Sequence, residues 1–314
     1  MTEHIYIYYT LGAVLAACGL SVAATLTALH EYRRTGRDAA LRSRYLHALL
    51  MALCGACGEP PWFPHFGARG THRLLCETVA GVVTLTCGVD GRMLRQITGR
   101  CGLDRWLLRR CRRSHGYRRA RELALLAALP ADETLAAAAK PFLRSRNRYV
   151  RFYALAVQLS ADPAHAVRHI AAYPARLSAS EVAELIALLR RGMLPLAYGP
   201  LLESRIANLR RVGLAIVRQF GVEEAEGRLL QFIADTAEPE LGREALYALC
   251  ALRRSLLRRE VAVAIAGMND RERRSLLRCM ALEGYSPAAM RRLFEPDEHP
   301  YYETLIRSYK RSLA

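Results

Sequence analysis

A repeat within the chain constrains the fold most. Pro141-Phe-Leu143-Arg-Ser145-Arg146-Asn-Arg-Tyr-Val-Arg151 and Pro200-Leu-Leu202-Glu-Ser204-Arg205-Ile-Ala-Asn-Leu-Arg210 match at Pro, Leu, Ser, Arg and the final Arg, with an offset of 59. An apolar helical pattern follows each, Val150 to Leu159 and Leu209 to Phe220. A shorter signature, apolar-Arg-x-x-small-Leu, occurs at Val150-Arg151-x-x-Ala154-Leu155 and Leu209-Arg210-x-x-Gly213-Leu214. Weaker copies lie at Ala120-Arg121-x-x-Ala124-Leu125 and Leu241-Gly242-x-x-Ala245-Leu246. A helix near Ala183 to Leu189 fills the gap, and Glu272 to Met280 extends the series, so the step is about 30 residues. Such a step holds two helices with short turns. Breakers fall where those turns belong, among them Pro130, Asp162-Pro163, Tyr173-Pro174, Gly192, Pro195, Gly221, Glu238-Pro239, Gly267 and Ser286-Pro287. One hairpin leaves an apolar face uncovered, and only stacking closes it. The expected fold is all-α, an α-α superhelix over residues 114–314.

Arg151 and Arg210 occupy the same repeat position, which predicts a structural ladder to neighbouring carbonyls or carboxylates. Between about residues 115 and 285 the small-residue and Val-Arg or Leu-Arg helix starts resemble the HEAT-repeat class of α-solenoids. More loosely, the chain resembles bacterial membrane-anchored HEAT-repeat proteins. Gly242 in the arginine slot and a poorly marked third repeat depart from the pattern. The resemblance implies a scaffold or adaptor that binds another protein, with a membrane glycosyltransferase system as the implied partner. Some members of the class are DNA glycosylases or chromophore lyases, so the fold does not by itself exclude catalysis.

Ahead of the repeats, Ile5 to Leu29 run for 25 residues without a formal charge. A helix of that length, about 37 Å, would cross a hydrocarbon core of about 30 Å. Tyr6, Tyr8, Tyr9 and Tyr32 stand where interfacial aromatics belong. Arg33, Arg34, Arg37, Arg42 and Arg44 follow the run, and no Lys or Arg precedes it. A cleaved signal would carry its charge first and have a shorter apolar core. The expectation is an anchor over residues 1–29, with its span at 5–29, the N-terminus outside and the rest cytoplasmic at an inner membrane. Gly12, Ala16, Gly19 and Ala23 form one helical stripe of small residues, a candidate contact for another transmembrane helix.

Residues 30–113 read as a basic juxtamembrane and helical linker. Glu31 to Leu53 is amphipathic, and Leu74 to Val89 is apolar but short and contains Glu77, which suits a buried helix better than a second span. The formal charge is +17, and 44 of the 46 cations are arginines. Eleven arginines lie between Arg92 and Arg121, with Asp104 the one acid in that window. Arg33, Arg34, Arg37, Arg105, Arg109, Arg112 and Arg113 are the candidate contacts for an acidic partner or for anionic inner-leaflet lipid headgroups. A nucleic acid or nucleotide on the 92–121 segment is the alternative. It is the less favoured one, because the sequence shows neither interleaved aromatics nor a Gly-rich phosphate loop.

No catalytic, cofactor or metal site is expected. Nine cysteines without a regular framework fit reduced thiols. Cys54-x-x-Cys57 with His65, His72 and Cys76 lacks a second close pair for zinc. His165 and His169 have i, i+4 spacing but no intervening glutamate. An enzyme on a solenoid scaffold would need a carboxylate or thiol site that no motif marks.

Overall fold

The computed structural model describes residues 35–54, 63, 67, 70–85, 91–130, 132–191, 197–235 and 237–313. All regular structure among them is helical, with no strand. The chain divides into two compact units, 1–131 and 132–314.

In the first unit, α1 covers 35–53, followed by α2 (Thr71–Leu85), α3 (Gly91–Arg100), α4 (Leu103–Arg113) and α5 (Gly116–Ala128). The amphipathic pattern of α1 is used against protein. Tyr45, Leu49 and Ala52 are buried, and Tyr45 meets Phe63 edge to face at 5.5 Å. Leu75, Cys76 and Val79 of α2 are fully buried, as expected for a core helix. Helix α4 inserts Leu103, Leu107 and Cys111, one stripe at i, i+4 and i+8. Its C-terminus is fixed by Arg119, whose Nε donates to the carbonyls of Cys111 (2.9 Å) and Ser114 (2.7 Å). In α5 the buried leucines are Leu123 and Leu126. The weaker repeat copy expected to seat Ala124 and Leu125 is therefore out of register, and both of those residues are half-buried.

The membrane expectation is corrected. Among the described residues no helix is long and apolar enough to cross a membrane. Helix α2 is apolar but has 15 residues, about 22 Å, and α1 carries Arg37, Asp38, Arg42 and Arg44. The expected span at 5–29, with Gly12, Ala16, Gly19 and Ala23, lies outside the described residues, as do Arg33 and Arg34. No described element supports a single-pass protein with a cytoplasmic domain.

The second unit alternates short and long helices, an arrangement compatible with an α-solenoid. After α6 (Glu133–Ala139) the long helices are α7 (Arg148–Ala161), α9 (Ala179–Arg191), α11 (Ala207–Phe220), α13 (Pro239–Ala251), α15 (Asp270–Leu282) and α17 (His299–Leu313). They begin 28 to 32 residues apart, and each touches the next. Between them lie the short helices α8 (Ala166–Ala171), α10 (Tyr198–Glu203), α12 (Glu226–Ala234), α14 (Arg259–Ala266) and α16 (Pro287–Arg291). The offset of 59 is two steps, from the start of α7 to the start of α11. The poorly marked third repeat is α9.

Local chemistry sets these boundaries. Pro239 and Pro287 take the first helical position, where a missing N–H costs nothing. Gly221 ends α11 with φ +67°, a conformation that a side chain disfavours. Asn269 and Glu272 close a capping box on α15. Leu155 and Leu214 are buried, and Ala154, Gly213 and Ala245 sit at the small positions. Gly242 replaces an arginine because α12 passes close by: a Cβ there would lie 3.0 Å from the Phe232 carbonyl oxygen.

Candidate functional site

In the second unit a groove runs across α9, α11 and α13 and encloses about 630 Å3. Its apolar floor comes from Val182 and Ile186 of α9 and Leu214 of α11, each at least nine-tenths buried. Helical spacing places them there: 182 and 186 lie one turn apart on one face. Ala183, exposed, and Ala215, half-buried, leave the groove wide.

One end of the groove is charged. Arg211 is buried and donates from Nη1 to the Leu177 carbonyl and from Nη2 to Glu240 (2.9 Å), with Glu244 also at 2.9 Å. Arg176 shares Glu240. Burial pushes the Glu244 carboxyl above its usual range, against the pull of Arg211, Arg176 and Arg243. Burial likewise lowers Arg211. These groups bind one another across consecutive helices, so they build the groove's wall.

The wall belongs to a longer ladder. Arg148 holds Glu181 through two bonds of 2.9 and 2.7 Å. Ser178 and Glu181 also exchange the reciprocal bonds of a capping box. Arg243 reaches Glu272, the capping glutamate of α15, at 3.2 Å. Asn208, the second residue of α11, accepts from the Leu177 N–H (3.0 Å) and donates to the Ala175 carbonyl (2.8 Å). Each of α9, α11, α13 and α15 thus starts with a polar residue that the preceding long helix, or the loop before that helix, engages. Sequence reasoning missed this set. Its signal was Glu181, Asn208, Glu240 and Glu272, two or three residues into successive long helices.

The arginine slot behaves as the repeat predicts. Arg151 donates to the carbonyls of Ser145 (2.7 Å) and Arg146 (3.1 Å). Arg210 donates to Glu238 (2.6 Å) and the Arg205 carbonyl (3.5 Å).

Of the basic contacts expected in the first unit, Arg37, Arg105, Arg109, Arg112 and Arg113 are exposed. Arg105, Arg109, Arg112 and Arg113 lie together on α4, opposite its buried stripe. Other arginines of this unit are paired: Arg110 with buried Glu122 (3.0 Å), and Arg42, Arg73 and Arg121 with Glu77 at 3.0 to 3.2 Å.

Among the described residues no group of three His, Cys, Asp or Glu could hold a metal ion. Cys57 and His65 lie outside them. Cys54 is exposed, Cys76 is buried, and His72 stacks on Trp106 at 5.6 Å. His165 and His169 instead meet Asp162, at 2.9 and 3.0 Å. Hydrogen bonds from His165 and His169 hold the Asp162 carboxyl below its usual range. No family model matches this sequence, and no curated protein or solved structure is similar to it.

Proposed function

We propose that this chain is a HEAT-like α-solenoid scaffold, not an enzyme, that binds a segment of another protein in the α9–α11–α13 groove. The observation that carries this reading is a groove whose floor is Val182, Ile186 and Leu214, widened by Ala183 and Ala215, beside a fixed cluster of both charges. A groove of that character suits apolar side chains of a partner, oriented by one polar contact. The regular step of 28 to 32 residues and the helix-start ladder support the HEAT-like reading, since they keep long-helix faces in register. The glycosyltransferase expectation came with anchored proteins and is not carried over. Its successor is a soluble or exposed segment of a partner protein.

Photocrosslinking in cells tests the groove. A photoreactive residue at Ala183, inside it, should give a discrete adduct, and Ala215→Trp, which fills the groove, should abolish that adduct. The same probe at Val263, an exposed site on α14, should give none. Identical adducts at 183 and 263, or an adduct indifferent to Ala215→Trp, would remove the groove as a binding surface.

A further inference from the structure

The first unit carries a surface of a different kind. Residues 1–131 hold 18 arginines against 8 carboxylates, and no lysine. Two of the described carboxylates are engaged: Glu77 takes Arg42, Arg73 and Arg121, and Glu122 takes Arg110. Arg105, Arg109, Arg112, Arg113 and Arg118 are exposed and pair with no carboxylate among the described residues. Four of them share the outer face of α4, with 105, 109 and 112 at i, i+4 and i+7, a row about 10 Å long. Cations near a helix C-terminus complement its dipole, which accounts for Arg112 and Arg113 but not for Arg105 and Arg109.

The turn that follows adds an aromatic. Helix α5 starts at Gly116 with φ +54°, and next to it Tyr117 is 74% exposed, flanked by Arg118 and preceded by Arg112, Arg113 and His115. The ring stands in solvent, and Arg112, Arg113, Arg118 and Arg119 all lie within five residues of it in the chain. The turn beneath it is rigid, because Arg119 clamps the two carbonyls at the end of α4. Trp106 of α4 packs against His72 and the Arg110 guanidinium (4.9 Å). Among the described residues of the first unit, Tyr117 is the exposed aromatic ring.

Geometry and charge point to one ligand class: we propose that the outer face of α4 and the α4–α5 turn bind single-stranded nucleic acid. Arg105, Arg109, Arg112, Arg113 and Arg118 contact phosphates, and Tyr117 stacks on a base. A basic track beside one exposed ring is the combination that binds single strands without sequence preference. Anionic bilayers fit less well, since the apolar stripe of α4 is buried in the core and leaves nothing to insert. An acidic polypeptide would use the arginines but gain nothing specific from the ring.

The test is fluorescence anisotropy on the full chain, with labelled oligothymidylate and oligouridylate of about 20 nucleotides. Binding should weaken with salt, with a log–log slope near −3.5 for five phosphate contacts at about 0.7 each. Tyr117→Ala should weaken it roughly tenfold without changing that slope, because stacking is not ionic. Arg112→Glu with Arg113→Glu should weaken it more and flatten the slope. Arg271→Glu with Arg292→Glu, exposed arginines of the second unit, should change little. Polyglutamate and anionic vesicles serve as competitors. The proposal fails if no oligonucleotide binds at low salt, or if Tyr117→Ala binds like the parent. It fails equally if polyglutamate or vesicles compete as well as unlabelled oligonucleotide. None of these results depends on the groove of the second unit.

Discussion

Gly213 offers the sharpest test of how the short and long helices meet. It lies mid-way along α11, at the small position of its repeat, where Ala154 and Ala245 occupy the equivalent sites of α7 and α13. An added Cβ would stand 2.9 Å from Leu202 Cδ2 and 3.1 Å from Leu201 Cβ, both on α10. Comfortable carbon–carbon contact is about 3.5 to 4.0 Å, so the intrusion is several tenths of an ångström. Leu202 Cδ2 is a side-chain end and can swing away. Leu201 Cβ is tied to the backbone, so α10 itself must move. Alanine in place of a helical glycine would otherwise contribute about 1 kcal/mol, whereas overpacking costs about 1 to 3 kcal/mol. The net expectation for Gly213→Ala is a loss of about 1 kcal/mol.

Gly81, inside α2, supplies the opposite sign. No atom lies within 4 Å of a Cβ built there, and its φ is not positive. Gly81→Ala should therefore stabilise the first unit by about 0.5 to 1 kcal/mol. Urea denaturation of the full chain, followed by circular dichroism at a helical wavelength, reads both. With a slope of about 2 kcal/mol/M, Gly213→Ala lowers the midpoint by about 0.5 M and Gly81→Ala raises it by about 0.25 to 0.5 M. If Gly213→Ala raises the midpoint as Gly81→Ala does, α10 does not approach α11 as described, and the small position has lost its physical reason.

Further substitutions probe the core, the ladder and the thiols. Leu155→Ala and Leu214→Ala, buried at matching repeat positions, should each cost about 2 to 5 kcal/mol in the same denaturation assay, and parental midpoints would refute the register. Burial pushes the Glu181 carboxyl up, but the Arg148 and Ser178 bonds outweigh burial and hold it below its usual range. Its stabilisation is therefore present above the unfolded carboxylate range and lost as pH falls through the lowered value, so Glu181→Gln should flatten the decline in stability between about pH 5 and pH 3. Burial raises Glu244 instead, so its native form gains stability as pH falls from above its raised value to the unfolded value of about 4.3. Glu244→Gln should remove that gain and leave the profile below it unchanged, and equal profiles for the two variants would contradict both assignments. Burial drives the Cys76 and Cys111 thiols up to about 12, so iodoacetamide at pH 8 should label exposed Cys54 well before either, with peptide mapping as the readout.

The second unit was legible because its repeats write the same physical solution several times. Ala154 with Leu155 and Gly213 with Leu214 mark where helices come close and where the core is filled, and the turn prolines and glycines punctuate the same step. The copy at Ala120 to Leu125 shows the limit of that logic. An alanine- and leucine-rich helix offers several overlapping stripes, and α5 chose the one through Leu123 and Leu126 because α2 and α4 cover that side. The ladder of Glu181, Glu240 and Glu272 stayed hidden for another reason. Its members pair across about 30 residues, and among 44 arginines no sequence pattern says which cation is inward and held.

The basic segment illustrates the same ambiguity with a functional consequence. As a string, the arginines from 92 to 121 are alike, and the absence of interleaved aromatics weighed against nucleic acid. Folding sorts them. Arg110, Arg119 and Arg121 turn to Glu122, to the end of α4 and to Glu77, while Arg105, Arg109, Arg112, Arg113 and Arg118 stay in solvent. The same sorting buries one face of α4 and strands Tyr117 beside the unpaired set. What composition could not separate, a solvated face from a recognition face, becomes a question about one exposed ring. The affinity of Tyr117→Ala at fixed salt decides it, since a purely electrostatic surface would not notice the loss of a phenol.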